Sequence, residues 1–599
     1  MDYNAIVIGS GAAGLACAVR LKREGVKSVA VITPDVNSGT SRNTGSDKQT
    51  YYKLSLGGNG EDSVTSMAHD LYDAGGVNGY TALTEAANSA RAFMFLAELG
   101  VPFAQNSYGE FPGYTTDNDS RARASSCGPL TSKYMTQALE AEARRLGADI
   151  IEGSRVVRII ADDNRVHGVI ALDKAGEFTV YSSPAAVLAC GGEASLYSNS
   201  VFPASQWGGM GLAVQAGAAL SNMNCWQYGI ASKEFRWNLS GSYMQAVPRI
   251  LFTGSGCATQ TLTDKLGERD AVRLTFLKGY EWPFDVRKAG GSSLIDLHIL
   301  AHTQLNGGKV YLDYTGDSPL PDSLNSTSPE VYSYLKNCAA FESSPAERLR
   351  SINEKAYRLM LDNGIDLCTA PLPIHVAAQH QSGGAAVDEY YETSVHGLFA
   401  IGEAAGCFGA YRPGGSALNS GQVGALRAAV RIRQRAADSY EPAGAQCASP
   451  LRNAVDAAKS NGGVLHSALL NKIRAGFDSC ACLVRDVDLM QALYNDLTPY
   501  TRNYFGTVSY SGSALEYLMT YDTLLTACST LSAMLLSARE QGSTGSALVC
   551  KKSDILTARV QADEDKAKMI VSTRLFESTL TAPAPLPERE LWFERLLGR

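Results

Sequence analysis

A glycine-rich turn between an apolar run and a helical pattern is the feature that most constrains this chain. Residues 5–8 read Ala-Ile-Val-Ile, and the next six residues are Gly9, Ser10, Gly11, Ala12, Ala13 and Gly14. The three glycines permit a tight turn, a close approach of the backbone to a pyrophosphate, and close packing of helix on strand. Because the free N–H groups and the positive dipole end of the new helix point at one place, the pattern predicts a bound dinucleotide.

The second predicted strand, residues 28–33, ends differently from the usual dinucleotide-binding pattern. An acidic residue that holds the adenosine ribose is expected there, but the chain reads Thr33, Pro34 and Asp35. Either the Thr33 hydroxyl or the Asp35 carboxylate could accept the ribose hydrogen bond, and the sequence does not choose between them.

Length and charge narrow the class of protein. A chain of 599 residues, 45% of them apolar, predicts several globular domains. The net charge of −7 argues against nucleic acid or an anionic membrane surface as the main partner. Since no uncharged apolar run reaches about 18 residues and the start lacks a secretory pattern, we expect no membrane span and a cytoplasmic location.

Cysteine and histidine spacing predicts no metal site. The 13 cysteines include no C-x-x-C pair, which excludes the common patterns of zinc sites, iron–sulfur clusters and c-type haem attachment. His298 and His302 are four residues apart on a predicted helix with Asp296, but no third histidine is near them in the sequence. A reducing compartment fits this cysteine usage best.

Composition changes along the chain predict several domains. A predicted helix at residues 132–146 is followed by alternating strands from Arg155 to residue 189. From about Asn224 to Pro371 the chain is richer in Trp, Tyr, Arg and Ser and less periodic, which indicates an inserted domain. Strand and glycine-rich patterns return at residues 397–403 and 414–418, and the chain beyond Ala443 reads as helical.

Several of these segments, in this order, resemble one family. They are the opening glycines, Leu99 to Phe103, Ala189-Cys190-Gly191-Gly192 where the family has A-T-G-G, Gly397 to Glu403, and Arg412 to Leu418 where it has R-x-G-G-N-A-L. The chain is similar to the flavoprotein family of fumarate reductases, succinate dehydrogenase flavoprotein subunits and L-aspartate oxidases. The C-terminal helical part matches that family poorly.

The resemblance implies an α/β fold with a discontinuous, Rossmann-like FAD-binding domain. We predict its two parts at residues 1–225 and 371–440. An α+β capping domain is predicted at residues 226–370, inserted between them, and a mainly helical C-terminal domain at residues 441–599.

The resemblance also implies FAD as the cofactor. Glu403 would hold ribityl or ribose hydroxyls, and the helix start at Ser416, Ala417 and Leu418 would face the pyrimidine end of the flavin, where it stabilises the negative charge of the reduced form. No histidine lies near residues 38–41, so we expect non-covalent FAD. The remaining predicted FAD contacts are the six residues from Gly9 to Gly14 together with Thr33, Ser38, Gly39, Thr40, Ser41, Thr44, Gly45, Val156, Ala189, Cys190 and Gly191.

The substrate site departs from the family pattern. Dicarboxylate-using members clamp a carboxylate with His and Arg side chains and use an arginine as proton donor. The family's H-P-T after Q-Y appears here as Gly-Ile-Ala at residues 229–231, and Gln379 stands where a carboxylate-binding histidine is expected. Two cationic donors are therefore missing from the predicted clamp.

Four other residues are candidates for catalysis. Arg412 matches the clamp arginine, and its planar fork suits a carboxylate, although a structural role is an alternative. Arg287 falls loosely where the family's proton donor would lie, and Tyr411 is an alternative acid whose other role is aromatic packing. His380 is predicted to contact flavin or substrate, or to be a structural histidine.

The same region gains aromatic residues as it loses cations. Trp226, Tyr228, Trp237 and Tyr243 predict a larger, less charged substrate than fumarate, such as an enone or an aromatic acrylate. The sequence thus predicts hydride transfer between flavin N5 and an activated carbon–carbon bond of a small molecule, and it favours alkene reduction.

The electron partner is left open by the sequence. Electrons would come from a reduced flavin, from NAD(P)H or from a separate electron-transfer protein. The alternatives are a flavin-bearing subunit of a larger electron-transfer complex and an oxidase similar to L-aspartate oxidase. Association into a homo-oligomer is also left open.

Overall fold

A five-stranded parallel sheet forms the centre of the nucleotide-binding part of the chain. The computed structural model describes residues 2–57, 60–254, 258–318, 320–436, 440–459, 461–558, 560 and 562–597. The strand order in the sheet is Leu398–Ala400, Ala186–Leu188, Ala5–Ile8, Val29–Ile32 and Asp149–Ile151. The two N-terminal strands are buried along their whole length, as expected for a parallel sheet covered on both faces. The predicted α/β class is confirmed.

The nucleotide-binding part also contains helices. They are Ala12–Arg23, Thr40–Asn43, Val64–Tyr72, Gly79–Glu98, Thr131–Arg145, Met210–Gln215 and Ser416–Gln434. Ala12–Arg23 and Ser416–Gln434 pack closely because small residues meet between them: a Cβ added at Gly421 would lie 3.2 Å from the Cβ of Ala13. The first turn of Ala12–Arg23 thereby packs on the second turn of Ser416–Gln434.

Smaller antiparallel sheets flank the parallel one. Strands Ser154–Asp162, Arg165–Asp173 and Phe178–Ser182 form a meander, and the turn between the first two has positive φ at Asp163 and Asn164, which suits a tight hairpin. Strands Thr50–Tyr52 and Ala124–Ser126 pair as well.

The inserted region is built on a five-stranded antiparallel sheet. Its strand order is Trp226–Ser232, Leu372–Gln381, Lys309–Asp313, Arg249–Thr253 and Gln260–Thr261. Its helices are Ser242–Gln245, Leu262–Leu266, Glu268–Tyr280, Leu294–Asn306, Leu324–Thr327, Pro329–Asn337 and Pro345–Asp362. The sheet thus continues past residue 370, where the composition had suggested the end of the insert.

The C-terminal part is mainly helical around one buried helix. The helices are Ser449–Ala458, His466–Cys480, Val487–Arg502, Tyr504–Thr507, Ala514–Glu540, Glu564–Ala567 and Phe593–Leu597. Ala514–Glu540 is buried on nearly all sides, because small and apolar residues surround its axis. No helix among the described residues combines the length and apolar character needed to span a membrane.

The end of the chain also contributes strands. Ile570–Arg574 and Glu577–Thr581 form a hairpin that joins Leu220–Ser221 and Gly384–Ala385 in a four-stranded sheet. Short parallel pairs join Val464–Leu465 to Val508–Ser509 and Val484–Arg485 to Leu548–Val549. Single turns of 3₁₀ helix occur at Ala194–Leu196, Val286–Lys288, Gly402–Ala404, Ala445–Ala448 and Lys552–Asp554.

Candidate cofactor and substrate site

One large cavity lies between the parallel sheet and the inserted region. Its volume is about 620 Å³. Ser10 to Ala13 line it from the nucleotide-binding side, and Gln245 and Trp282 line it from the insert. A cavity with walls from both regions suits an extended ligand with a reactive end under the insert.

The glycine-rich turn has no room for side chains. Gly9 has a φ of 108°, and a Cβ there would lie 2.6 Å from the carbonyl oxygen of Ala189. A Cβ at Gly14 would lie 2.0 Å from the oxygen of Gly9. The first turn of the following helix lines the cavity, and the first amides of a helix have no partner within it. This cradle fits the pyrophosphate of a dinucleotide.

Most of the predicted cofactor contacts line this cavity. They are Gly9, Ser10, Gly11, Ala12, Ala13, Thr33, Ser38, Gly39, Thr40, Ser41, Thr44, Gly45, Val156, Ala189, Cys190, Gly191, Glu403, Ala417 and Leu418. Gly14 and Ser416 do not line it: the first packs against Gly9, and the second is buried at the start of the helix that carries Ala417 and Leu418.

The two ribose candidates differ in position. Thr33 lines the cavity, and its Oγ1 lies 2.8 Å from the Oγ of Ser10. Asp35 is not part of the lining, and its Oδ1 accepts a hydrogen bond from the N–H of Asn37 at 2.8 Å. Of the two alternatives, the structure brings Thr33 to the cavity.

Glu403 is held rigidly in the cavity wall. Its Oε1 accepts a hydrogen bond from the N–H of Gln381 at 2.8 Å, and a Cβ on Gly192 would lie 2.6 Å from the same oxygen. Burial raises the pKa of Glu403 to about 7. A carboxyl group fixed in this way is suited to hold hydroxyl groups of a ligand, and the role that the resemblance implies for Glu403 stays a prediction.

Arg412 lines the large cavity and is bonded to the inserted region. Its guanidinium donates to the amide oxygen of Gln227 from Nη2 at 2.7 Å and from Nε at 3.2 Å. Burial lowers the pKa of Arg412 to about 10, while Glu403 and Asp117 oppose that shift. Gln379 also lines the cavity, so an amide is present where the family pattern has a histidine.

His380 is a neutral side chain in the cavity wall. It is 8% exposed, and neither ring nitrogen has a hydrogen-bond partner among the described residues. Burial and the nearby Arg412 hold its pKa well below the usual value. The imidazole ring contacts Phe408 edge-on, and its Nε2 lies 3.9 Å from Oε1 of Glu403.

Arg287 and Tyr411 do not reach the large cavity, which differs from the catalytic roles predicted for them. Arg287 bonds to Asp285 through Nε and Nη2 and stacks its guanidinium 3.8 Å above the Tyr411 ring. Burial by itself would lower the pKa of Arg287, but hydrogen bonding to the Asp285 carboxylate raises it above the usual value. This ion pair holds Arg287 away from the lining, and Tyr411 packs beside it.

The four aromatic residues that suggested a larger substrate also lie elsewhere. Trp226, Tyr228, Trp237 and Tyr243 are each at most 2% exposed and belong to the core of the inserted region. They pack there because the antiparallel sheet needs large apolar side chains against its helices. The aromatic part of the lining comes instead from Tyr114, Trp207, Tyr280 and Trp282.

Asp117 is a cavity residue that the sequence did not reveal. It lies in a loop without a motif, and its Oδ1 accepts a hydrogen bond from the N–H of Trp282 at 3.1 Å. Burial raises its pKa to about 7. No local signal could have found it, because its partner is 165 residues away.

Asp296 and His302, which lie in the helix with the histidine pair, make other contacts. Asp296 forms a buried ion pair with Lys278 at 2.6 Å, and His302 Nε2 lies 3.0 Å from the carbonyl oxygen of Thr253. Within the described part of the chain, no group of three or more potential metal ligands is present.

A parallel sheet with a glycine cradle at one end of a cavity and a second helix start at the other defines the class of dinucleotide-binding flavoproteins. A family model described as FAD binding domain matches residues 4–418, and the chain belongs to this family. FAD is its cofactor, and the cradle at Gly9 to Gly14 fits that group.

Known proteins with similar sequences are L-aspartate oxidases. The chain is 27% identical to the enzyme of Mycobacterium leprae over 438 residues, which are 70% of this chain and 72% of that one. It is 26% identical to L-aspartate oxidase 2 of Ralstonia nicotianae over 419 residues, covering 68% and 67% of the two chains.

Solved structures show the same fold over nearly the whole chain. E. coli quinol fumarate reductase matches with a TM-score of 0.69 at 18% identity, covering 98% of both chains. Mycobacterium smegmatis Sdh1 matches with a TM-score of 0.70 at 17% identity, covering 98% of this chain and 95% of the other. The family to which the sequence resemblance pointed is thereby confirmed, and the protein is an FAD-dependent oxidoreductase.

Proposed function

We propose that this protein reduces an activated carbon–carbon double bond in a small molecule that carries one carboxylate or carbonyl group. The observation that carries the proposal is the composition of the cavity beside Arg412. This guanidinium is bonded to an amide, Gln227, lies near neutral His380, and shares the cavity lining with a second amide, Gln379. The site offers a single fork for an anionic or carbonyl oxygen together with neutral hydrogen-bonding groups.

When bound, the cofactor would supply a hydride, and the side chains of the cavity would determine which substrate carbon receives it. Arg412 would bind the activating oxygen of the substrate and fix its orientation. The Gln227 oxygen already accepts two bonds from this guanidinium and so limits its rotation. His380, being neutral, would donate or accept one hydrogen bond without adding a second positive charge.

Charge at this end of the cavity disfavours dicarboxylates. Lys48, Arg155 and Arg412 are the cationic side chains that line it among the described residues. Lys48 is exposed near the Tyr114 ring, and Arg155 lies beside Val156, one of the predicted cofactor contacts. The second carboxylate of fumarate or L-aspartate would therefore depend on the exposed Lys48, and a carboxylate without a fixed cationic partner is costly to desolvate.

An oxidase similar to L-aspartate oxidase is the second candidate. The sequence relatives that bear this name support it, and such an enzyme would act on a carbon–nitrogen bond. The two candidates differ in whether substrate reduces or reoxidises the flavin.

The test uses the purified chain loaded with FAD. Flavin reduced by light without oxygen is mixed with cyclohexenone, cinnamate or fumarate, and oxidised flavin is mixed separately with L-aspartate. We expect reoxidation by the enone or the acrylate and little by fumarate. Bleaching of the oxidised flavin by L-aspartate, followed by reoxidation with oxygen alone, would instead establish the oxidase.

The electron donor is a separate part of the proposal. We infer that electrons come from outside the chain, through a reduced flavin, NAD(P)H or another protein. The fold shared with quinol fumarate reductase and Sdh1 is the reason to include a protein donor. Turnover of the single chain with dithionite-reduced viologen as donor would contradict a role limited to a subunit of a larger complex.

A further inference from the structure

We propose that the carboxyl group of Asp117 is the proton donor of this reaction and that it exchanges its proton with solvent through a second, small cavity behind it. The proposal deepens the function proposed above and rests on it. Asp117 matches none of the motifs that connect the chain to its family.

The loop of Asp117 is fixed to the segment that precedes the flavin-facing helix. Thr116 Oγ1 donates to the carbonyl oxygen of Gly414 at 3.0 Å, and the N–H of Gly414 donates to the carbonyl oxygen of Asp117 at 2.9 Å. Asp117 is thereby held at the same end of the cavity as Arg412, whose pKa it affects. The position is set by backbone contacts and does not depend on a mobile side chain.

The inserted region fixes the carboxyl group itself. The N–H of Trp282 donates to Asp117 Oδ1 at 3.1 Å, and the Trp282 side chain lines the cavity next to it. Burial raises the pKa of Asp117 to about 7, although Lys288, the Trp282 N–H and Lys278 lower it. A carboxyl group with this pKa carries a proton and releases it near neutral pH, as a general acid must.

A small cavity lies on the other side of Asp117. It measures about 10 Å³, which is close to the space of one water molecule. Asp117, Gln227, Trp282 and Pro283 line both the large cavity and the small one, so they form the wall between them. Asp117 contributes the titratable group of that wall.

The far side of the small cavity reaches solvent. Glu281 and Lys288 line it, their charged groups are 3.6 Å apart, and the two side chains are 30% and 33% exposed. Asn118, Asp285, Tyr411 and Ser546 also contribute to its polar lining. A water molecule in this space would connect the Asp117 carboxyl group to side chains that exchange protons with bulk solvent.

The chemical step balances. One alkene carbon receives the hydride, which carries two electrons, and the π electron pair forms a new C–H bond at the other carbon with the proton of Asp117. The O–H bond of Asp117 breaks, and its carboxylate then takes up a proton from solvent through the small cavity. In the opposite direction the carboxylate accepts the proton from the substrate carbon.

The first test needs no substrate. Infrared spectra of the flavoprotein are recorded from about pH 5 to about pH 9 for the wild type and for Asp117→Asn. We expect the wild type to show a protonated-carboxyl band that disappears near pH 7 and that the variant lacks. Glu85→Gln is the matched control, because Glu85 is a buried acid with a pKa of about 7 outside the cavity lining. The proposal is wrong if the Asp117 variant keeps every titrating band.

The second test measures reoxidation of the pre-reduced flavoprotein by cyclohexenone. We expect Asp117→Asn to lower the rate about 10²- to 10⁴-fold with little change in KM and to remove the pH dependence near 7. Asp117→Glu is expected to restore part of the rate, since it keeps an acid. Glu281→Gln should slow repeated turnover more than a single turnover, because Asp117 begins each cycle protonated.

The outcomes separate the two proposals. A wild type that none of the acceptors reoxidises contradicts the proposed function, while the infrared band still shows whether Asp117 exchanges protons. Normal reoxidation by both the wild type and Asp117→Asn with the same pH profile leaves the function standing and overturns the role of Asp117.

Discussion

Arg412 and Gln227 form a fork in which one amide oxygen accepts two hydrogen bonds from one guanidinium, at 2.7 Å and 3.2 Å. Gln227 is 5% exposed and belongs to the inserted sheet, whereas Arg412 precedes the helix Ser416–Gln434. The pair therefore connects the two walls of the cavity. A substrate that takes one of these bonds would be held by both walls at once.

We expect Arg412→Lys to lower kcat/KM for the active acceptor by about two orders of magnitude while FAD content stays normal. A lysine keeps the charge but loses the planar fork. Stopped-flow reoxidation and the absorbance ratio of flavin to protein measure the two effects. Unchanged kcat/KM would contradict a role for Arg412 in substrate orientation.

Arg287→Lys tests whether Arg287, which the sequence predicts as proton donor but which lies outside the large cavity, takes part in the reaction. Because Arg287 is paired with Asp285 outside the lining, we expect a loss of kcat/KM of less than about threefold, in the range of a partly exposed ion pair. The same reoxidation assay measures it. A loss as large as that of Arg412→Lys would show that Arg287 enters the cavity during the reaction.

We expect Gly9→Ala to reduce FAD content at least about tenfold. The φ of 108° costs an alanine about 1–3 kcal/mol, and its Cβ would also meet the Ala189 oxygen at 2.6 Å. Gly25→Ala is the matched control: its φ is 85°, but nothing lies within 4 Å of the added Cβ. Loss of flavin absorbance in both variants would indicate general unfolding and contradict a specific role of the cradle.

Glu85 predicts a pH-dependent stability. Burial raises its pKa from 4.5 to about 7, so its contribution is complete below about pH 4.5 and is lost as the pH rises through about 7. From about pH 4.5 to about pH 8 we expect the wild type to lose up to about 3 kcal/mol relative to Glu85→Gln, measured by urea unfolding.

Glu142 provides the control of opposite sign. Hydrogen bonding to Arg145, the largest cause, lowers the pKa of Glu142 to about 2, so its contribution is complete above about pH 4.5 and is lost only as the pH falls towards 2. The stability difference between the wild type and Glu142→Gln should stay constant from about pH 5 to about pH 8. A constant difference for Glu85→Gln over this range would contradict the buried-acid assignment.

Arg123→Ala should destabilise the protein by about 3–5 kcal/mol. The fully buried guanidinium pairs with Asp62 at 2.8 Å, with Asp119 at 3.4 Å and with Asp70. Removal of Arg123 leaves the buried carboxylates of Asp62 and Asp119 without their cation. Thermal unfolding followed by circular dichroism measures the loss, and a change below about 1 kcal/mol would show that water replaces the guanidinium at no cost.

Local patterns explain why the cofactor end of the site was predictable. The strand at residues 5–8, the glycines from Gly9 to Gly14 and the helix start near Ser416 are each encoded within a few neighbouring residues. The substrate end was not encoded in this way. The place of Arg287 in the sequence suits a proton donor, but its ion pair with Asp285 holds it outside the large cavity.

The aromatic residues show the same limit. Trp226 and Tyr228 lie in a strand whose residues are all buried, so they belong to the core of the inserted region and do not line the large cavity. From the sequence, an aromatic residue of the core cannot be told apart from one that lines the cavity, because both positions take an apolar side chain beside a turn or strand.

The amino-acid order alone determined the α/β class, the dinucleotide cradle and the family, because strand hydrophobicity, glycine geometry and helix starts are short-range properties. Only the tertiary structure decided that Asp117 meets Trp282 across 165 residues, and that Arg412, Gln227 and His380 line one cavity. Those contacts depend on how the insert packs on the parallel sheet, and packing between distant segments is set by the whole chain.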